Sequence, residues 1–217
     1  MKIITLSGAV SGEKVKSVNT SITSILRNKD KHLNPHLNHY VYNLDLKNVV
    51  DFSDGRDIKD YSPTTRYAIQ TIEYANGIII VTPIYQASIP GTLKNLFDIL
   101  PKDAFKDKLI GIVAIAGSSK HYLVPEYQLK PILDYMGAIL IQKYVYIEES
   151  YINQEGIIDN KEINHRLNIL CDEMLEHMDK LSEHNKEIYQ EINNKLKILK
   201  DEWWNNANLR HFRWIIS

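Results

Sequence analysis

The sequence is poor in most features that mark a specialised protein. Cysteine is almost missing: Cys171 stands alone in 217 residues, so no internal disulfide can staple the fold. That excludes a disulfide framework and fits a reducing compartment. No charge surplus exists either. Lys and Arg number 26 against 27 Asp and Glu, a formal net charge of −1. Nothing global draws the chain to nucleic acid or to an anionic membrane. Long apolar runs are lacking. No stretch approaches the roughly 20 apolar residues of a membrane helix, and Ile3-Ile4-Thr5-Leu6 ends at Ser7-Gly8, too soon for a signal-peptide core. A cytoplasmic protein with no membrane or nucleic-acid partner is expected. Neither the Walker phosphate loop nor the dinucleotide glycine fingerprint occurs, and no Ser-His-Asp or Cys-His grouping declares itself. His32, His36 and His39 have a metal-like spacing, but Pro35 interrupts any helix that would align them. A solvated loop and no metal are expected there.

What is present is alternation. Ile3 to Leu6, Tyr40 to Leu44, Ile78 to Val81, Leu109 to Ile115 and Ile139 to Ile147 read as strands. The third and fourth are uniformly apolar, as expected of strands covered on both faces. Helical patterns separate them: Val18 to Arg27, Thr65 to Ala75 stopped by Asn76-Gly77, Pro90-Gly91 to Leu100, and Val124 to Met136. Pro131 lies inside the last and should distort it. Residues 45–63 read as a polar loop. Five strands with intervening helices imply an α/β, doubly wound parallel sheet, whose ligands sit outside the carboxyl ends of the strands. Attention therefore falls on the loops after Leu6, Val81 and Ile115.

The first of these, Ser7 to Lys14, resembles a phosphate cradle at a helix start, with Ser17, Asn19, Thr20 and Ser21 as further donors. The second, Thr82-Pro83-Ile84-Tyr85-Gln86-Ala87-Ser88-Ile89-Pro90-Gly91-Thr92-Leu93-Lys94-Asn95, is stiffened by two prolines and carries an aromatic face at Tyr85. It resembles the loop of the flavodoxin-like NADPH-dependent FMN reductase family, approximately Pro-(Ile/Val)-Tyr-x-x-Ser-x-Pro-Gly-x-Leu-Lys-Asn. The third, Gly117-Ser118-Ser119-Lys120-His121 followed by Tyr127-Gln128-Leu129-Lys130-Pro131, is similar to the two-component reductases that supply reduced FMN to monooxygenases.

The resemblance implies a sheet order of 2-1-3-4-5 and hydride transfer from NAD(P)H to FMN. It places the flavin ring on Pro83, Ile84, Tyr85, Gln86 and Ser88, with Gly117 and Ser118 beside it. The phosphate falls to Ser7, Ser17 and Thr20 with neighbouring amides, and no catalytic acid or base is implied, because the cofactor carries the chemistry. A monooxygenase partner and a homodimer or homotetramer belong to the same implication. The family's first loop usually reads Gly-Ser-x-Arg; here Ala9 and Ser11 stand at the Ser and Arg positions. Lys14 or Lys16 would supply replacement charge as a floppier point contact. Two other readings stay open: an FMN-retaining quinone or azo reductase, and a non-catalytic binding or assembly module with a degenerate phosphate loop.

Past residue 160 the pattern becomes purely helical. Ile163, Leu167, Leu170, Met174, Met178 and Leu181 form a stripe that Ile188 to Leu199 continues, and Cys171 reads as core. An unbroken helix over 161–202 would be about 60 Å long, so a break near Ser182 to Lys186 is expected. The division expected is 1–160 for the FMN-binding domain and 161–217 for a helical extension used in packing or oligomerisation. The aromatic and cationic end, Trp203-Trp204 and 209–214, is read as docking onto the body or a neighbouring subunit.

Overall fold

A computed structural model of the chain describes residues 1–33 and 39–181. Its strands are β1 (Lys2–Ser7), β2 (Tyr40–Asp45), β3 (Gly77–Pro83), β4 (Leu109–Ala116), β5 (Ile139–Leu140) and β6 (Val145–Glu148). Its helices are α1 (Glu13–Leu33), α2 (Pro63–Glu73), α3 (Gly91–Ile99), α4 (Lys130–Tyr135) and α5 (161–181). Every named pairing is parallel, in the order β2-β1-β3-β4-β5, with β6 also on β4. This is the flavodoxin-like doubly wound order, and it puts the topological switch between β1 and β3.

Alternation along each strand builds two cores. Ile4, Leu6, Ile78, Ile80, Ile110 and Ile112 point into the layer closed by α2, α3 and α4. The odd-numbered positions face α1 and α5. There the Thr5 and Thr23 hydroxyls meet at 2.6 Å. A Cβ on Gly77 would lie 2.6 Å from the Met174 sulfur, and one on Gly111 3.1 Å from Leu170. The glycines let α5 seat against the sheet.

Several expectations change, and the distortion expected at Pro131 takes a definite form. First, α1 begins at Glu13, about a turn before Val18, because Gly12 turns the chain at φ +122° and Val15 is buried. Second, the last strand is split. Leu140 pairs Ile110 and Val145 pairs Val113, so four residues, 141–144, oppose two, Gly111 and Ile112. This is a two-residue bulge on an edge. Third, the helix expected from Val124 opens with a π-helical turn, Pro125–Leu129, in which the Lys130 amide donates to Pro125 O. Pro131 has no amide for Tyr127 O, and its ring would strike that carbonyl in an α-helix. Widening the turn removes the conflict and leaves Tyr127 exposed.

Fourth, the first part of the C-terminal stripe belongs to the body. Leu167, Leu170, Cys171, Met174 and Met178 are buried, and the compact unit runs Met1–Met178 rather than to 160. Burial pushes the Cys171 thiol up to about 12. His39 also departs from the solvated-loop reading, being buried with Nδ1 2.5 Å from Asp30 Oδ1. The expected break at Ser182 to Lys186, the stripe from Ile188, the Trp203 to Trp214 end, Pro35 and His36 lie outside the described residues.

Candidate functional site

The loops after β1, β3 and β4 leave the sheet side by side and are bonded to one another. The Gly8 amide donates to Val81 O at 2.7 Å, and the Ile84 amide to Ile115 O at 2.8 Å. A Cβ on Gly8 would fall 2.8 Å from Thr82 Cβ and 3.0 Å from its Cα, so only glycine lets the first two loops approach this closely. Tyr85, half-exposed, reaches across to donate to Ser11 O at 3.4 Å.

In the first loop Gly12 caps α1, and the Lys16 amide closes on Gly12 O at 3.1 Å. The first-turn amides of an α-helix have no partner within the helix, and the macrodipole there favours an anion. Lys14 Nζ bonds Glu149 O at 3.1 Å, and Lys16 Nζ lies 3.9 Å from Glu13. The structure divides the residues expected to hold a phosphate. Buried Ser7 and exposed Thr20 line one polar pocket of about 380 Å³, together with Lys16, Asn19 and Lys47. Ser17 is elsewhere: Gly156 covers it, so tightly that a Cβ there would lie 2.2 Å from Ser17 Oγ. The early helix start explains the separation, since Ser17 stands a full turn inside α1 rather than at its cap.

The second loop is a small hairpin. Tyr85 and Ser88 exchange both backbone hydrogen bonds, at 2.9 and 3.0 Å, across Gln86 and Ala87. Both central residues have positive φ, 49° and 58°. Such turns ordinarily carry Asn-Gly, and a residue with a Cβ costs about 1–2 kcal/mol in the left-handed region. The strain is met from outside the loop. Gln128, on the π-helical turn, accepts from Ser88 Oγ at 2.5 Å and donates to Ala87 O at 3.1 Å. Pro83 is buried at the strand end, and Ile84 and Ser88 are half-buried while Gln86 is exposed.

The third loop is pinned by tyrosines. Tyr146 donates to Ser118 O at 2.5 Å, and Tyr144 to Tyr122 O at 2.8 Å. The Tyr122 ring lies 5.3 and 5.4 Å from theirs. Burial raises both hydroxyls above the usual phenol range, helped at Tyr144 by Tyr122 and at Tyr146 by Glu148. Both remain donors at neutral pH. Gly117 is exposed, with open space where a side chain would stand. Gln128, Tyr144 and Tyr146 were not among the expected site residues. The period-two spacing of the tyrosines marks one face of a strand, but nothing local names their carbonyl partners. Among the described residues no group of three or more His, Cys, Asp or Glu is placed to hold a metal.

Main-chain edges beside an aromatic face suit a flat ring, and the outward amides at a helix start suit a phosphate. The family described as NADPH-dependent FMN reductase matches residues 1–151. The chain belongs to that family. An "NAD(P)H-dependent FAD/FMN reductase" from Geobacillus thermodenitrificans (strain NG80-2) is 35% identical over 172 residues, 77% of this chain and 88% of its own length. An "FMN reductase (NADPH)" from Escherichia coli (strain K12) is 30% identical over 152 residues, 70% of this chain and 75% of its own. Among solved structures, an oxidoreductase from Corynebacterium diphtheriae superposes with TM-score 0.64 at 23% identity, covering 81% of this chain and 97% of that one. This reductase transfers hydride from NAD(P)H to FMN. The non-catalytic reading falls.

Proposed function

We propose that this reductase takes FMN as an exchangeable substrate, gripping the ring side firmly and the phosphate side weakly. The ring would lie along Pro83, Ile84, Tyr85, Gln86 and Ser88, with Gly117 and Ser118 bordering it. FMN supplies the hydride-accepting chemistry, and the protein supplies alignment with the nicotinamide. The phosphate would rest on the outward amides at the start of α1 and on Lys16, with Ser7 and Thr20 lining the adjacent pocket. Ser17 has the weakest claim, being covered by Gly156. The single observation that carries this reading is the contrast in anchoring: the second loop is tied to β4 at Ile84 and clamped by Gln128, whereas exposed Ser11 stands where the family resemblance implies an arginine.

Exposed Tyr127 and Tyr135 on the α4 side support a homodimer or homotetramer contact. No helix of the described residues is long and apolar enough to cross a membrane; a cytoplasmic reductase handing reduced FMN to a monooxygenase is the setting we infer. The test compares riboflavin with FMN in steady-state NADPH oxidation. If the phosphate is weakly held, kcat/KM for riboflavin stays within about ten-fold of that for FMN. A loss of a thousand-fold or more would contradict the proposal.

A further inference from the structure

We infer that Gln128 is a positioning residue that holds the flavin-facing hairpin in its left-handed conformation. The inference rests on the reading of residues 83–88 as the ring-binding loop. Three observations carry it. The hairpin at Gln86-Ala87 has positive φ at two residues that are neither glycine nor asparagine, so its own sequence does not favour the turn it adopts. One side-chain amide, from a segment 40 residues away, meets that turn with both ends: Oε1 accepts from Ser88 Oγ and Nε2 donates to Ala87 O. The π-helical turn then fixes where that amide stands, because the extra residue it accommodates before Pro131 sets the rotation of Gln128 about the helix.

The geometry also defines what Ser88 does. Its hydroxyl proton is spent on Gln128, so toward a flavin the Ser88 side chain offers lone pairs only. Gln128 itself acts through the loop. An isosteric carboxylate does not replace it, since Glu would lose the donor to Ala87 O and set two acceptors against each other. Asn is one carbon short of both partners.

The experiment measures KM for FMN and for NADPH in steady state, FMN binding by fluorescence quenching, and Tm, in four proteins besides the wild type. Gln128→Leu is expected to raise the KM and Kd for FMN about ten-fold, from two lost hydrogen bonds, to leave the KM for NADPH nearly unchanged and to lower the Tm by only a few degrees. Gln128→Glu should follow Leu. Adding Ala87→Gly to Gln128→Leu removes the strain at φ 58° and should restore FMN affinity to within about three-fold of wild type, a rescue that a merely structural or directly flavin-contacting Gln128 would not give. Tyr85→Ala tests the underlying reading: its FMN affinity must fall if residues 83–88 hold the ring. An unchanged FMN affinity in Gln128→Leu while Tyr85→Ala is impaired overturns the clamp alone. A loss in Gln128→Leu that Ala87→Gly leaves in place also overturns it. Unimpaired binding in both Tyr85→Ala and Gln128→Leu overturns the loop reading and the clamp with it.

Discussion

The loops after β1 and β3 leave neighbouring strands and touch at Gly8 and Thr82, yet they are anchored in opposite ways. The loop after β3 is closed on itself by the Tyr85–Ser88 pair, tied to β4 at Ile84 and clamped by Gln128. The loop after β1 has the Gly8 amide on Val81 and long 3.4 Å bonds from Ser7 Oγ to Ala9 O and from Tyr85 OH to Ser11 O, with the Val10 and Ser11 side chains exposed. The lysines beside it are drawn toward Glu149 and Glu13. On the proposed reading, one half of the site is organised before any flavin arrives, and the other relies on lysine charges that already face carboxylates. That asymmetry suits an enzyme that must orient a ring for hydride transfer and then let the molecule go.

The comparison breaks most severely where the two loops meet. Gly8→Val places carbon against the Thr82 backbone, and we expect a loss of about 3 kcal/mol in urea denaturation together with loss of FMN turnover. A variant of near-native stability would show that the loops are not wedged at this point. Next in size is a change that erases the asymmetry. Ser11→Arg supplies the guanidinium that the family resemblance implies at this position, and FMN affinity should rise about ten-fold, enough for more flavin to survive gel filtration. No gain would mean that the amides of α1 do not receive the phosphate.

A smaller effect is expected on the far side of the ring. Tyr146→Phe frees Ser118 O, and the KM for FMN should rise about three-fold with kcat little changed. The least effect is the alkaline one. Tyr144 and Tyr146 have hydroxyls raised in the folded state, so unfolded tyrosines release protons first as pH climbs through about 10. The unfolded chain then binds fewer protons, and stability falls with rising pH. Denaturation at pH 8 and 10.5 should show a smaller fall in a Tyr144→Phe, Tyr146→Phe double variant than in the wild type.

Much of this arrangement is legible in the chain, for identifiable reasons. β3 and β4 are covered on both faces, so their residues are apolar without interruption and their loops can be located from composition alone. Pro131 announces a distorted helix because it lacks a donor, whatever surrounds it. The first turn of α1 was hidden because Glu13, Lys14 and Lys16 face outward and read as loop, while Val15 alone turns in. The role of 161–178 was obscured because an amphipathic stripe does not say what it covers; Gly77 and Gly111, the notches that receive it, lie far away in sequence. Gln128 lies within the third motif, yet its partners are 40 and 41 residues distant and no periodicity joins them. Ser17 shows the converse. Its position in the motif pointed to phosphate, and the packing of Gly156 puts another group over it.

The most direct test of the central claim is NADPH oxidation by purified protein, measured against added FMN before and after gel filtration. The account predicts that most flavin is lost on the column and that turnover returns with a saturable dependence on added FMN. Flavin that co-elutes one per chain, with turnover independent of added FMN, would contradict it and make this an enzyme that keeps its flavin and reduces another acceptor.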